Sequence, residues 1–131
     1  MNFKEIFLSE EEKQKTLASL PDTLPFGEMI KNNTDNSVKI SFVFTTKEAS
    51  SKAEIHDNFN DLFLVQSGEE EFWVGGEITD KEETEKGEWL GGNLIGAQKY
   101  QLRAGDILVV PRGVPHKHGL GLATFLVIKT S

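Results

Sequence analysis

The sequence predicts an all-β domain of short antiparallel strands, closed into a barrel or packed as a sandwich, with one short helix ahead of it. Three observations support this prediction. From Val38 onward, apolar residues recur with a period of two, as in half-buried strands. Turn sequences rich in glycine separate these runs. A helix signal is found only near the N-terminus, so the strands supply the core.

The helix signal lies in the N-terminal segment. Ser9 followed by Glu12 forms a capping box, acidic residues occupy the first turn, and Pro21 ends the run. We expect a helix over residues 10–19 on the outside of the domain, because its apolar residues are few. Residues 21–30 contain two prolines and a glycine, and predict an extended segment that docks on the barrel.

The strand prediction covers most of the remaining chain. Ser67-Gly68-Glu69 indicates a tight hairpin between two of the strands. Residues 77–96 hold eight charged residues and four glycines, and predict a long flap near one end of the barrel, with Trp89 and Leu90 as its only anchors. The expected strands are residues 38–44, 53–56, 62–66, 70–74, 100–103, 107–110 and 123–129.

Size and composition limit the class of protein. The 131 residues are most simply one domain, made of an N-terminal helix and docking segment (1–33) and a barrel (34–131). The chain has no cysteine and no apolar run near the roughly 20 residues that span a bilayer, which argues against a disulfide scaffold and a transmembrane helix. The N-terminal segment is rich in Lys and Glu, unlike a signal peptide, so we expect a cytoplasmic protein.

The charge balance limits the partners. Twenty-one acidic residues against fourteen basic ones give a net charge of −7. Such a chain repels phosphate backbones and anionic lipid surfaces. We therefore expect neither nucleic acid nor membrane as a partner.

The stretch from Gly105 to His118 carries the strongest pattern. A turn dipeptide, a short apolar strand (107–110) and a second turn (111–113) follow one another. After the second turn, His116 and His118 alternate with other residues, so both imidazoles are expected on one face of the next strand.

This stretch resembles the second conserved motif of the cupin superfamily. That motif reads Gly, five residues, Pro, one residue, Gly, two residues, His, three residues, Asn. Gly105, Pro111, Gly113 and His116 match it, and Leu120 replaces the Asn. The resemblance implies a small barrel of jelly-roll type, the double-stranded β-helix.

The first cupin motif reads His, one residue, His, three or four residues, Glu, six residues, Gly. Anchored on Gly68, the chain has Asp61 at the Glu, His56 at the second His and Glu54 at the first. Only His56 is retained. Together the two motifs extend the resemblance over roughly residues 38–129.

These residues predict a metal site. Glu54 and His56 lie two apart on a strand and share a face about 6 to 7 Å apart, within reach of one ion. His116 would join them from the opposite corner, and the resemblance adds Asp61. Such a set accepts Mn, Fe, Ni or Zn as a divalent ion. The alternative is hydrogen-bonded histidines and solvated carboxylates without a metal.

The resemblance implies metal-dependent chemistry of the dioxygenase, isomerase or lyase type on a small polar or acidic molecule. His118 is the candidate catalytic residue, as a general base, although it could simply line the barrel mouth. A non-catalytic module that binds a small ligand, with or without metal, is the alternative function. Small cupins commonly pair through N-terminal segments, so we expect a homodimer in which apolar residues find cover, namely Phe3, Ile6, Phe7 and Leu8.

Overall fold

The structure is a computed structural model that describes residues 5–21, 26–45 and 52–131. These ranges contain one helix, α1 (Glu10–Ser19), and eleven strands. The strands are β1 (Phe26–Asn32), β2 (Val38–Phe44), β3 (Ala53–His56), β4 (Asn60–Val74), β5 (Glu77–Ile78), β6 (Glu82–Glu85), β7 (Glu88–Gly91), β8 (Leu94–Ile95), β9 (Gln98–Arg103), β10 (Ile107–Val110) and β11 (His116–Thr130).

The helix forms where the sequence predicts it. The Ser9 hydroxyl accepts a hydrogen bond from the backbone N–H of Glu12 at 3.1 Å, which caps the first turn. None of the side chains of α1 is buried. The helix lies on the outside, tied to β1 by an ion pair of 2.9 Å between Glu12 and Lys31. It is too short and too polar to span a membrane.

The extended segment expected at residues 21–30 is partly a strand. Residues 22–25 lie outside the described ranges, as does Phe3. From Phe26 the chain forms β1, which pairs antiparallel with β2 at the edge of the sheet. The division of the chain at residue 33 stays a prediction.

The strands form a barrel of jelly-roll type, which confirms the predicted fold class. The main sheet runs in the order β1-β2-β11-β3-β7-β6, and β4 pairs with β11, β10 and β9. These pairings are antiparallel. β5 and β8 form a separate two-stranded sheet. β4 and β11 are 15 residues each and pair along their length, so they join the two halves of the barrel.

The hairpin predicted at Ser67-Gly68-Glu69 is wrong, because the chain continues through these residues as β4. Gly68 has a φ of +75°, and the register between β4 and β11 shifts beside it. A Cβ on Gly68 would collide with the carbonyl oxygen of Leu122. The glycine thus bends one strand around the barrel and does not reverse the chain.

The segment predicted as a flap, residues 77–96, consists largely of short strands, which the sequence did not predict. Its role as a flap stays a prediction. β7 pairs with β3, so that Glu88 lies opposite His56 and Gly91 opposite Ala53. β7 returns alongside β6 after a turn at Lys86-Gly87. Trp89 and Leu90 are half-buried as expected, but they are not the only anchors, since Gly91 is buried. The region extends the main sheet beyond β3.

The core lies inside the barrel and is built mainly from β4 and β11, with one residue each from β9 and β10. Phe63 and Phe72 of β4 pack with ring centroids 4.9 Å apart, and Phe125 of β11 contacts both. This cluster supports the histidines at the start of β11. Its buried members are Phe63, Val65, Phe72, Leu102, Val110, Ala123, Phe125 and Val127.

Candidate metal centre

Polar side chains from β3, β4 and β11 meet at one end of the barrel core. Glu54 and His56 project from the same face of β3, and His116 at the start of β11 is paired with Glu54. One ligand atom from each of these three residues lies within 4.8 Å of the other two. The structure therefore brings together three of the four residues that the sequence singled out for a metal.

Both imidazoles direct the same nitrogen toward Glu54. Its Oε2 lies 3.4 Å from Nε2 of His56 and 3.5 Å from Nε2 of His116. The two rings are 5.1 Å apart between centroids. The shared direction of the two Nε2 atoms defines a common centre.

Asp61, the fourth predicted residue, faces this centre from β4. Its Oδ2 lies 3.3 Å from Nε2 of His56 and 3.7 Å from Nε2 of His116. Its Oδ1 accepts a hydrogen bond of 2.7 Å from Nζ of Lys129. The side chain is 1% exposed, so the expectation of a solvated carboxylate does not hold for Asp61.

The second oxygen of Asp61 lacks a hydrogen-bond donor. Among the described residues, Asp61 Oδ2 is one of two buried side-chain polar atoms without a hydrogen-bond partner, together with Nδ1 of His116. Buried carboxylate oxygens are normally paired, because an unpaired one costs free energy. This oxygen, one oxygen of Glu54 and the two Nε2 atoms together form a set of ligand atoms that suits a divalent cation.

His56 is held by a residue that the sequence analysis missed. Its Nδ1 lies 2.7 Å from Oε2 of Glu88, so this nitrogen carries the proton and donates it. In the neutral ring, Nε2 then keeps its lone pair toward Glu54 and Asp61. A carboxylate behind a ligating histidine orients the ring and raises its basicity.

The charges of the site shift two pKa values in opposite directions. Burial alone would raise the pKa of Glu54, but hydrogen bonds with His116 and His56 outweigh burial and hold it well below its usual range. Burial would lower the pKa of His56, yet the hydrogen bond with Glu54 and the nearby Asp61 and Glu88 raise it overall. Glu54 is therefore ionised at neutral pH.

His118 belongs to a different cluster. Its Nδ1 lies 2.6 Å from Oε1 of Glu70, and Oε2 of Glu70 accepts a hydrogen bond of 2.6 Å from the Thr45 hydroxyl. Glu70 is fully buried. The His118 ring contacts Phe72, with 4.8 Å between the ring centroids. Phe72 also stacks on His116, with 5.9 Å between the centroids. His118 is not part of the group around Glu54, and its role as a catalytic residue stays a prediction.

A cleft of about 240 Å³ opens beside the candidate centre. Glu54 and His56 form part of its wall, and the β6–β7 hairpin forms the rest. The hairpin is fixed there by Trp89, whose indole N–H donates to Oδ2 of Asp57 at 2.8 Å. The residues that line the cleft are Glu54, His56, Thr84, Glu85, Glu88, Trp89 and Leu90.

The two residues missed by sequence reasoning differ in how far they could have been found. Glu70 shares a strand face with Phe72, two residues on, so the alternation already placed a carboxylate on the core side. Glu88 gives no local signal, because its position depends on the pairing of β7 with β3.

Comparisons with known proteins agree with this architecture. Residues 19–124 match the family model of the JmjC domain. A search of curated proteins found no match. The structure of KdgF from Halomonas sp. superposes with a TM-score of 0.58 and 12% identity, over 99% of this chain and 87% of that one.

Two further solved structures are similar over about half of their own length. Recombinant oxalate oxidase in complex with glycolate has a TM-score of 0.56 and 20% identity, over 86% of this chain and 53% of that one. The iron(II) form of HppE has a TM-score of 0.60 and 14% identity, over 81% of this chain and 50% of that one. At these identities the likeness concerns the fold alone. The family match covers most of the chain, and with these structures it shows that the protein is a small cupin that belongs to the JmjC domain family.

Proposed function

We propose that the protein binds one divalent metal ion through Glu54, His56, Asp61 and His116, and acts with it on a small polar molecule. The observation that carries this proposal is the buried Oδ2 of Asp61, which has no donor and lies 3.3 Å from Nε2 of His56. A cation at the shared centre would satisfy this oxygen. The Nε2 atoms of His56 and His116 would be neutral ligands of the same cation.

The chain's own residues prepare the site for an ion. Glu88 fixes the proton of His56 on Nδ1, which leaves the lone pair of Nε2 free to coordinate an ion. Lys129 neutralises the outer oxygen of Asp61. Phe72 stacks on His116 and keeps its ring in place. These contacts hold the donor atoms in position before any ion binds.

Two carboxylates among four donors favour harder cations such as Mn²⁺ or Fe²⁺, while Ni²⁺ and Zn²⁺ stay candidates. When bound, such an ion would act as a Lewis acid or hold a reacting oxygen atom.

The reaction type that we propose is that of a dioxygenase, isomerase or lyase. Support comes from the fold, which is shared with oxalate oxidase and with the iron(II) form of HppE. The volume of the cleft, about 240 Å³, suits a small molecule.

The experiment measures metal content and thermal unfolding of the protein, with EDTA and with added Mn²⁺. We expect the purified protein to carry a metal, and Mn²⁺ to stabilise it by about 2.7 kcal/mol at a hundredfold excess over Kd. His116→Ala should remove most of this gain. His118→Ala is the matched control: it loses the bond to Glu70 and lowers stability in EDTA, but it should keep the metal-dependent increment.

The second candidate is a small-ligand-binding module without metal. The His–carboxylate contacts of the site favour it, because a protonated His56 or His116 could pair with Glu54 without an ion. If wild type carries no metal as purified and melts at the same temperature with EDTA and with Mn²⁺, the metal proposal fails and this module replaces it.

A further inference from the structure

Two carboxylates face each other across the turn of the β6–β7 hairpin. Glu85 of β6 is paired with Glu88 of β7, and both line the cleft beside the candidate metal centre. Like charges directly opposite each other on paired strands are destabilising. Nδ1 of His56 already holds Oε2 of Glu88 at 2.7 Å, and a cation bound beside Glu85 and Glu88 would offset the negative charge that remains.

The rest of the cleft wall suits a cation with an attached apolar group. No Lys or Arg is found among the described residues that line it. Trp89 and Leu90 contribute an aromatic and an aliphatic surface. The Trp89 ring already accepts one ammonium group, since Nζ of Lys81 lies 4.8 Å from its centroid.

The acidic wall continues into a site that already indicates a ligand. Oδ2 of Asp61 has no hydrogen-bond partner, and the side chain is 1% exposed. This oxygen lies 3.3 Å from Nε2 of His56, and His56 itself lines the cleft. A bound divalent ion would be balanced by Glu54 and Asp61. Glu85 and Glu88 would then remain as negative charges in the outer part of the cleft.

We propose that this cleft selects small molecules that carry a protonated amine next to an apolar or planar group. The ammonium group would lie between Glu85 and Glu88, and the apolar part would lie against Trp89. Because this inference names the substrate class of the metal centre, it rests on the proposed function. It departs from the polar or acidic ligand expected from the sequence, because an anion would meet three carboxylates here.

The test compares three probes of equal size: benzylamine, which is cationic at neutral pH, benzyl alcohol and benzoate. Binding is followed by NMR at the indole N–H of Trp89, which lies on the cleft wall and is assigned with the Trp73→Phe variant. Titrations are run in EDTA and again with Zn²⁺, a diamagnetic ion. Zinc binding is measured separately by calorimetry.

We expect benzylamine to shift the Trp89 signal saturably and to bind about tenfold or more tightly than benzoate. Glu85→Gln should weaken benzylamine binding about fivefold, whereas Glu77→Gln, the same charge change outside the cleft wall, should leave it unchanged. Equal binding of benzoate, or equal affinity of wild type and Glu85→Gln for benzylamine, would overturn the inference.

The two proposals fail separately. If Zn²⁺ does not bind but benzylamine shifts Trp89 and loses affinity in Glu85→Gln, the cation-selective cleft stands and the metal centre falls. If Zn²⁺ binds and benzylamine leaves the Trp89 signal in place, the cleft inference falls and the metal centre stands.

Discussion

His56 Nδ1 donates a hydrogen bond to Oε2 of Glu88 over 2.7 Å, which joins two residues 32 positions apart in the chain. The bond crosses from β3 to β7, whose backbones pair at these two residues. It fixes the orientation of His56 and ties the acidic hairpin to the candidate metal centre. The hairpin is therefore part of the site.

Replacing Glu88 by Ala should weaken metal binding by about 10- to 100-fold, because the His56 ring loses the partner that orients it and raises its basicity. Calorimetric titration with Mn²⁺ measures the change. Glu88→Gln keeps an acceptor oxygen for Nδ1 and should recover part of the affinity.

The control for this prediction is Glu85→Ala, which removes the same charge from the same hairpin but has no hydrogen bond to His56 among the described contacts. If Glu85→Ala weakens Mn²⁺ binding as much as Glu88→Ala does, the effect is one of net charge and Glu88 does not position His56.

Gly68→Ala should destabilise the protein more than Gly105→Ala does. Both glycines have positive φ angles, +75° and +93°, so each substitution costs about 1 kcal/mol or more of backbone strain. Only at Gly68 would the new Cβ also collide with the carbonyl oxygen of Leu122, whereas Gly105 faces open space. Urea unfolding measures both free energies, and equal losses would contradict the close approach of β4 and β11.

Thr45→Val should lower the free energy of unfolding by about 1–3 kcal/mol, because it leaves the fully buried Oε2 of Glu70 without its hydroxyl donor. The exposed Thr84 offers the matched control, and Thr84→Val should change stability by no more than about 0.5 kcal/mol. Chemical unfolding at neutral pH tests the pair. A Thr45→Val variant as stable as wild type would mean that the Glu70–His118 cluster finds another donor.

The homodimer stays a prediction, which sedimentation at micromolar concentration can test. Ile6 and Leu8 are half-buried, but Phe7 is 75% exposed, a large apolar side chain left without cover in one chain. Phe7→Ser should shift the equilibrium toward one chain, and Leu120→Ser, an exposed apolar position on β11, should not. A wild-type mass equal to one chain contradicts the dimer.

The sequence predicted the features that depend on local patterns. Alternating apolar residues placed β2 and β3, a short continuous apolar run placed β10, and the capping box placed α1. Local patterns did not distinguish a hairpin from a bend at Gly68, because both use a glycine with positive φ between alternating strands. The choice depends on β11, which lies far along the chain and supplies the carbonyl oxygen beside Gly68.

Some residues of the candidate site could likewise be predicted from local patterns, and others could not. Glu54, His56, Asp61 and His116 were identified from motif spacing. The structure brings together ligand atoms of Glu54, His56 and His116, and Oδ2 of Asp61 lies 3.3 Å and 3.7 Å from the two histidines. Glu88 lies in a charged, glycine-rich segment that looks like a surface loop, and only the pairing of β7 with β3 brings it to His56. The strands within residues 77–96 contain few apolar residues, so hydrophobic periodicity could not predict them.

The pairing of β4 with β11 also determines when the barrel can form. Asn60 and Thr130, at the outer ends of these strands, are hydrogen-bonded although 70 residues separate them. Contacts of such high sequence separation slow folding, because loop closure has to precede the contacts that repay it. During synthesis, β4 can pair with β9 and β10 along one edge, but its other edge has no partner until β11 leaves the ribosome. Until then the open edge of β4 can pair with strands of other chains, so aggregation competes with closure of the barrel during this interval.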